Sequence, residues 1–274
     1  MDAKSKASLR VQAFLGQVTI IFIAPLYFLL RAIMFYRVRD LLAIRRQCAA
    51  EFSRHKGPWI ICANHLTMID SFILGYTIFS LKQHIIGYKK LPWNLPERRN
   101  FQGNFILVVL CYLSKCIPID RGGSREKIKK TLGKCIYLLR EKQSIMIFPE
   151  GGRSRTGLVD KEGFSYGVGR FVKDVRNSKI MCIYLRGDKQ HKHSIIPSWG
   201  DKFYAQMEVH TPEPSEQTGL RAQREYAAQI INRLSQMEEK YFAAHRERYR
   251  RFKRSGEHEK KQGFAVSEEN SHRY

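Results

Sequence analysis

A histidine, an aspartate, a glutamate and two arginines are the residues of this chain best suited to chemistry. His65 stands five positions before Asp70, and a carboxylate can hold an imidazole in one tautomer so that the ring acts as a general base. A glycine-rich turn further along carries Glu150, Arg153 and Arg155, and guanidinium groups suit a phosphate. A base beside a phosphate site indicates an enzyme that deprotonates a hydroxyl group on a phosphorylated acceptor.

The histidine motif must be positioned by the elements around it. The apolar run 58–63 predicts a buried strand ending at the motif, and Thr67 is predicted to cap a helix continuing to about Phe79. Residues five apart in a helix lie about 140° apart around its axis, so His65 and Asp70 can meet only if His65 precedes the helix. We therefore predict that His65 lies in the turn between strand and helix.

Apolar patterns predict further strands and helices along the chain. Strands are expected at 83–88, 116–120, 144–148, 179–185 and 203–210. Helices are expected at 104–114, after the capping residue Ser124, and at 218–242. Strands that alternate with helices predict an α/β fold, in which functional loops lie at the ends of strands.

The size and charge of the chain limit the classes of protein to which it can belong. The chain has 274 residues, 43% of them hydrophobic, and a net charge of +23. It can form one sizeable domain, and its charge implies a polyanionic partner such as nucleic acid, an anionic membrane or an acidic small molecule. None of the six cysteines forms a Cys-x-x-Cys pair, which favours a reducing compartment. A zinc site at Cys182, His191 and His193 is conceivable but lacks the usual ligand spacing, so no metal is predicted.

Residues 13–30 form a nearly uncharged apolar segment with basic residues on both sides. The segment approaches the roughly 18–20 residues that cross a bilayer, although Pro25 is expected to kink a helix there. More basic residues follow the segment than precede it, which predicts that the rest of the chain faces the cytoplasm. The pattern favours membrane attachment over a signal peptide or a buried core helix. It leaves open whether the helix spans the bilayer or dips into one leaflet.

The chain is predicted to comprise four regions. Residues 1–45 form the membrane-associating segment, 46–212 the catalytic domain, and 213–254 a C-terminal helix whose basic end can contact anionic headgroups. The boundary before this helix is placed near the Thr211-Pro-Glu-Pro sequence. Residues 255–274 are polar and predicted to be disordered.

Three blocks, in order, resemble those of the glycerolipid and lysophospholipid acyltransferase family. The family's first block, Asn-His-x-Ser-x-x-Asp, corresponds to residues 64–70, where Thr67 replaces serine. The second block ends in a strand followed by an arginine and corresponds to Ile117–Arg121. The third block, Phe-Pro-Glu-Gly-Thr-Arg-Ser, corresponds to Phe148–Ser154, where Gly152 stands for threonine.

A fourth family block is expected at Ile180–Tyr184, which lacks the usual proline. The resemblance covers roughly residues 55–190. It implies a mixed sheet flanked by helices, as in glycerol-3-phosphate acyltransferase, and transfer of an acyl group to a lysophospholipid. The implied acceptor is 1-acyl-sn-glycerol-3-phosphate, giving phosphatidic acid. The acyl donor would be acyl-CoA or acyl-carrier protein, with no further cofactor.

The resemblance also implies a role for each motif residue. The acceptor's own hydroxyl would be the nucleophile, with His65 as its base and Asp70 orienting the ring. Substrate binding would fall to Arg121, Glu150, Gly151, Gly152 and Arg153. From the residues alone, Glu150 can equally hold the turn through backbone amides. Further candidates for phosphate contacts are Arg155 and Lys161, whereas Asn64 is interpreted as a turn-former.

Other classes of function compete with this interpretation. A different lyso-lipid acceptor fits the departures at Gly152 and in the fourth block. A nucleic-acid-binding protein fits the charge and the aromatic residues within the basic stretch 246–254, but no nucleic-acid motif is present and the apolar N-terminal segment fits poorly. The sequence has no Gly-x-Ser-x-Gly elbow, which argues against a serine hydrolase, and no Gly-x4-Gly-Lys-Ser/Thr loop, which excludes a P-loop NTPase.

Overall fold

The computed structural model describes residues 1–190, 194–245 and 250 of the chain. The predicted disordered tail, the predicted basic end apart from Arg250, and the residues His191 and His193 lie outside this part. The described part forms eight α-helices: α1 (Ala3–Ile33), α2 (Leu41–Arg54), α3 (Asp70–Ile78), α4 (Leu81–Ile86), α5 (Phe105–Leu113), α6 (Arg125–Arg140), α7 (Gly167–Asp174) and α8 (Gly219–Ala244). It also forms six strands: β1 (Arg37–Val38), β2 (Trp59–Ala63), β3 (Trp93–Asn94), β4 (Ile145–Ile147), β5 (Lys179–Gly187) and β6 (Lys202–His210).

The strands form one mixed sheet in the order β1–β6–β5–β2–β4–β3. Strands β5 and β6 are antiparallel, and the other neighbouring pairs are parallel. This mixed sheet flanked by helices confirms the predicted fold class. Since β2 and β4 are parallel neighbours, with Cys62 opposite Ile147, the motifs that follow them lie at the same edge of the sheet.

Both faces of β2 are buried, so the sheet lies between two helical layers. Ile60 and Cys62 belong to a core cluster that includes residues of α6, α7 and α8. Trp59, Ile61 and Ala63 belong to a second cluster that includes residues of α1, α2 and α3. A strand covered on both faces has an unbroken apolar sequence, which is why β2 was predictable.

Helix α1 packs against the domain along most of its length. Its buried residues recur at intervals of three or four: Ser5, Leu9, Gln12, Gly16, Ile20 and Ala24. The Gln12 amide donates to the main-chain oxygens of Tyr112 and Cys116, at 2.8 and 2.9 Å. The Tyr27 hydroxyl donates to the main-chain oxygen of Phe72. One stripe of α1 is therefore part of the core.

The outer faces of α1 and α5 are apolar and exposed. On α1 the large exposed side chains are Val11, Phe14, Leu15, Val18, Ile21, Phe22, Leu26, Leu29, Leu30 and Ile33. Helix α5 packs beside α1 and exposes Phe105, Ile106, Leu107, Val108, Val109 and Tyr112. We refer to these two sets of side chains together as the apolar platform. A contiguous apolar surface of this kind marks an interaction site.

The strand predicted at 83–88 is wrong, because most of this stretch belongs to α4. Ser80 begins the helix with a capping box. Its hydroxyl accepts a hydrogen bond from the Gln83 N–H, and the Gln83 side chain accepts one from the Ser80 N–H. This reciprocal pair stabilises a helix start and outweighs the apolar pattern that suggested a strand.

Two local predictions near the site also need correction. Thr67 does not cap a helix; α3 begins at Asp70, and Ile69 at the cap position makes no side-chain capping bond. The predicted strand at 116–120 forms only isolated bridges to residues at and after β3. The inference drawn from the Thr67 cap nevertheless holds, because His65 lies before the helix.

Candidate active site

His65 occupies the turn between β2 and α3, and its neighbour Asn64 fixes the start of that turn. The Asn64 amide donates to the Leu185 main-chain oxygen at 2.9 Å and accepts from the Leu185 N–H at 2.8 Å. These two bonds join the end of β2 to β5. They match the interpretation of Asn64 as a residue that shapes the turn.

The carboxylate of Asp70 is surrounded by hydrogen-bond donors. Its Oδ2 atom lies 3.0 Å from His65 Nδ1 and accepts from the N–H groups of Leu66 and Thr67 at 2.6 and 2.8 Å. Its Oδ1 atom accepts from the Thr67 hydroxyl at 2.5 Å. A carboxylate held this way places the proton of a neutral imidazole on Nδ1 and leaves Nε2 as the basic nitrogen. The threonine keeps the hydroxyl that the family's serine supplies at this position.

The ring of His65 has a fixed orientation. It stacks on Phe148 with ring centroids 4.0 Å apart and an angle of 14° between the planes. The side chain is 13% exposed, and Nε2 has no hydrogen-bond partner among the described residues. An imidazole fixed by a stacking ring and a carboxylate, with its second nitrogen unbound, is arranged as a general base is.

Glu150 links the two motifs through backbone amides. Its carboxylate accepts from the His65 N–H at 2.8 Å and from the Asp160 N–H at 3.3 Å. The main chain adds a second link, because Ser154 N–H donates to the His65 carbonyl at 2.9 Å. Burial raises the pKa of Glu150 to about 8, although the two amide contacts oppose this rise. Of its two predicted roles, this geometry matches the one that holds the turn.

The two glycines of the turn differ in what they require. Gly151 has φ of +72°, and a Cβ there would lie 3.0 Å from the Cβ of Ser165. A side chain at Gly151 would therefore be both strained and crowded. Gly152 has no atom within 4 Å of an added Cβ, so the threonine usual in the family would have room. The absent side chain at Gly152 leaves open space beside Arg153.

Arg153 lies close to the histidine turn. Its Nη1 atom donates to the Ser194 main-chain oxygen at 3.1 Å, and Ser194 N–H donates to the Leu66 carbonyl at 3.1 Å. Arg153 is half-buried, whereas Arg155 is exposed. Both line a cavity of about 1220 Å³ between the turn and α8, together with Glu150. His65 is not one of the residues that line this cavity.

Arg121 and Lys161 are each paired with a carboxylate, although Lys161 lines the same cavity as Arg153 and Arg155. Arg121 Nε lies 3.3 Å from a carboxylate oxygen of Glu97, and its segment lies beyond β3, at the edge of the sheet. Lys161 forms an exposed ion pair with Glu239 at 3.2 Å. The structure thus brings together His65, Asp70 and the turn with Arg153, but it holds Arg121 and Lys161 by other partners.

A buried network supports the outer part of the turn. Arg186 donates to the Gly157 carbonyl at 2.7 Å, and Glu238 accepts from the Val159 N–H at 3.0 Å and from the Tyr184 hydroxyl at 3.3 Å. Burial raises the pKa of Glu238 to about 7. The network was not predicted from the sequence, where Arg186 directly after the apolar run of β5 is the one residue that signals it.

A family model described as Acyltransferase matches residues 45–199, more than half of the chain. The match includes all the candidate catalytic and substrate-binding residues. A comparison with curated proteins finds no significant match.

Proposed function

The chain belongs to the acyltransferase family, and we propose that its acyl acceptor is a lysophospholipid. The proposed reaction moves a fatty acyl group from an acyl thioester, on CoA or an acyl-carrier protein, to a free hydroxyl. The proposed acceptor is 1-acyl-sn-glycerol-3-phosphate, and the product is phosphatidic acid. The observation that carries this proposal is the pairing of His65 with Asp70 beside a turn that bears Arg153.

The proposed chemistry needs no nucleophile from the protein. His65 Nε2 takes the proton of the acceptor hydroxyl as its oxygen bonds to the thioester carbonyl carbon. Asp70 stabilises the imidazolium that forms. When the C–S bond breaks, the imidazolium gives its proton to the departing thiolate, which leaves as a thiol and restores the base. A positioned base of this kind contributes typically ~10²–10⁴-fold to the rate.

The proposed phosphate contact is Arg153. One of its nitrogens already donates to Ser194, which fixes the side chain and leaves further N–H groups for a phosphate. Binding the phosphate would hold the glycerol hydroxyl near His65, which contributes to the rate by positioning. Arg121, paired with Glu97, would join this contact only by leaving its partner. We assign Glu150 the role of holding the turn.

The apolar platform supports attachment to a membrane. Helix α1 is long and apolar enough to cross a bilayer, with a mean hydropathy of 2.1 over its most apolar window. Its inner stripe, however, packs on the domain from Ser5 to Ala24, and its outer face continues into α5. We propose that α1 and α5 lie together in one leaflet, an arrangement typical of interfacial helices. The basic residues that flank α1 favour the cytoplasmic side.

We propose that an apolar cavity of about 270 Å³ binds an acyl chain. It lies between α1, α3 and α5, and its lining includes Ile20, Leu110 and Met146. Ser71 and Phe72, which follow Asp70 directly, also line it. A lipid tail from the platform side would reach the neighbourhood of the catalytic pair through this space.

A reconstituted assay tests the proposal. Purified protein in anionic vesicles would receive lysophosphatidic acid and a labelled acyl thioester, presented as acyl-CoA or on a carrier protein. Labelled phosphatidic acid is the expected product. A panel of other lyso-lipids belongs in the same assay, because the open space at Gly152 favours a different headgroup as the alternative. Transfer to another lyso-lipid alone would replace the proposed acceptor, and no transfer to any lyso-lipid would refute the substrate class.

A further inference from the structure

A second large cavity, of about 1030 Å³, lies at the edge of the sheet opposite His65. Its walls come from the N-terminal half of α1, the end of α2, α4 and the turn before β4. Trp59, the first residue of β2, and Ser144, the residue before β4, line it, whereas His65 follows the end of β2. Five strand residues span roughly 16 Å, so the cavity is separate from the catalytic pair.

The cavity is strongly basic. Six cationic side chains line it in addition to the buried Lys115: Arg10, Lys56, Lys82, Lys89, Lys90 and Lys142. All six are exposed, and within the described part of the chain none of them forms an ion pair. The lining includes one carboxylate, from Glu141. Such a concentration of like charge raises the local concentration of anions.

The ammonium group of Lys115 is hydrogen-bonded within the fold, so it is not one of the cations available to a ligand in this cavity. Its Nζ atom donates to the main-chain oxygens of Tyr88 and Leu91, both at 2.9 Å, and of Lys89 at 3.3 Å. The ammonium group also lies 4.6 Å from the centroid of the Tyr88 ring. These contacts fix the segment that carries Lys89 and Lys90.

The cavity wall also contains polar atoms whose hydrogen bonding is incomplete. Tyr88 is 3% exposed, and its hydroxyl has no partner in the part of the chain that the structure describes. His55 Nε2 is likewise buried without a partner there. Both atoms are closed off from solvent, so they belong to the packed wall and the exposed cations are the groups open to a ligand.

The rim of the cavity joins the apolar platform. Phe14 of α1 lines the cavity and is 66% exposed, and Ile86 at the end of α4 lines it and is 76% exposed. Apolar side chains beside unpaired cations suit a molecule with an anionic group next to acyl chains. We propose that this basic cavity binds the phosphate of an anionic phospholipid in the bilayer, an inference that rests on the membrane attachment proposed for α1. This binding does not depend on the acyl-transfer reaction.

Vesicle binding tests the proposal. Full-length protein is sedimented with vesicles of phosphatidylcholine alone or with phosphatidylglycerol added. The test variant combines Lys82→Gln, Lys89→Gln and Lys90→Gln. The matched control removes the same charge outside the cavity, by Lys173→Gln, Arg176→Gln and Arg221→Gln on the α7–α8 side of the sheet.

The test variant should lose ~100-fold in affinity for anionic vesicles, because each cation near such a surface contributes to binding. The test variant should bind neutral vesicles as the wild type does. The control variant should keep the wild-type preference for anionic over neutral vesicles. An equal loss in both variants, or no loss in the test variant, overturns the proposal. If the triple variant does not fold, Lys56→Gln with Lys142→Gln, elsewhere on the cavity wall, replaces it. The expected loss is then ~30-fold, and Lys173→Gln with Arg176→Gln is the charge-matched control.

A second arm separates a lipid from a soluble phosphate. Thermal unfolding is followed without vesicles, with and without pyrophosphate at constant ionic strength. Equal effects of pyrophosphate on wild type and test variant are expected. If pyrophosphate stabilises only the wild type, and both proteins bind anionic vesicles equally, the cavity binds a soluble phosphate compound and the lipid assignment is overturned.

Discussion

Asp70→Asn is the substitution that most directly probes how the catalytic pair is built. The carboxylate accepts from two backbone N–H groups, the Thr67 hydroxyl and the imidazole Nδ1. An asparagine with its oxygen at the Oδ2 position keeps three of these contacts as neutral bonds and turns its NH₂ group to the Thr67 hydroxyl. Bonds to a charged group are worth about 1 kcal/mol more than neutral ones, so three weakened bonds lower the free energy of unfolding by ~3 kcal/mol.

The effect of Asp70→Asn on activity should be larger than its effect on stability. The imidazolium loses the negative charge that stabilises it, and we expect kcat/KM to fall by ~10²–10⁴-fold. The assay is transfer of a labelled acyl group to lysophosphatidic acid in vesicles, with thermal unfolding measured on the same samples. Thr67→Val is the matched control, because it removes the hydroxyl contact alone and should cost about 2 kcal/mol while keeping most activity.

Two results would refute this reasoning. A folded Asp70→Asn variant with undiminished kcat/KM would show that the carboxylate does not serve the base. Equal inactivity of Thr67→Val would show that the carboxylate acts only by shaping the turn. Thr67→Ser keeps the hydroxyl and should behave as the wild type in both measurements.

Three further outcomes are expected. Arg153→Ala should raise the KM for a phosphorylated acceptor at least tenfold through the loss of a charged hydrogen bond. Arg155→Ala, at an exposed position, should change this KM little. Equal effects of the two substitutions would contradict the assignment of Arg153 as the phosphate contact. Burial raises the pKa of Glu150 from 4.5 to about 8, so its contribution to stability is present below pH 4.5 and is lost as pH rises through 8. Between pH 5 and 8 the Tm of Glu150→Gln should therefore fall less than the Tm of the wild type. Parallel curves of Tm against pH would contradict the raised pKa. Phe22→Ser with Ile106→Ser should weaken vesicle sedimentation, because each removes apolar surface from the platform; unchanged sedimentation would exclude the platform as the attachment surface.

The contact between His65 and Asp70 was predictable because the sequence signals for it are local. Five-residue spacing and an apolar run before His65 were enough to place the ring in a strand-to-helix turn next to Asp70. The parallel pairing of β2 and β4 then brings the second motif to the same edge, as expected for strands that alternate with helices. These features depend on periodicity and turn geometry, which a sequence displays directly.

The errors came from local signals that competed with each other. Residues 83–88 were predicted as a strand from their apolar pattern, yet the capping box formed by Ser80 and Gln83 starts a helix at Leu81. Thr67 has the right type for a cap, but its hydroxyl is used by Asp70. In each case a specific side-chain hydrogen bond decided between two patterns that the sequence allowed.

The rest of the site depends on contacts between residues far apart in the chain. Glu150 binds the His65 amide across 85 positions, and Glu238 binds the Val159 amide across 79. Neither pairing has a sequence signature, because each is set by how α8 and the turn after β4 pack on the sheet. The same limit applies to the basic cavity, whose cations come from four separate segments.

The central claim is that the imidazole of His65 removes the proton from the acceptor hydroxyl. The most direct measurement is the single-turnover rate of acyl transfer by His65→Ala, with acceptor binding and thermal unfolding measured alongside. His210→Ala, at the end of β6, is the matched control. We predict a rate reduced by at least ~10²-fold for His65→Ala, acceptor binding close to that of the wild type, and full activity in the control. A folded His65→Ala protein that transfers the acyl group at the wild-type rate would contradict the account.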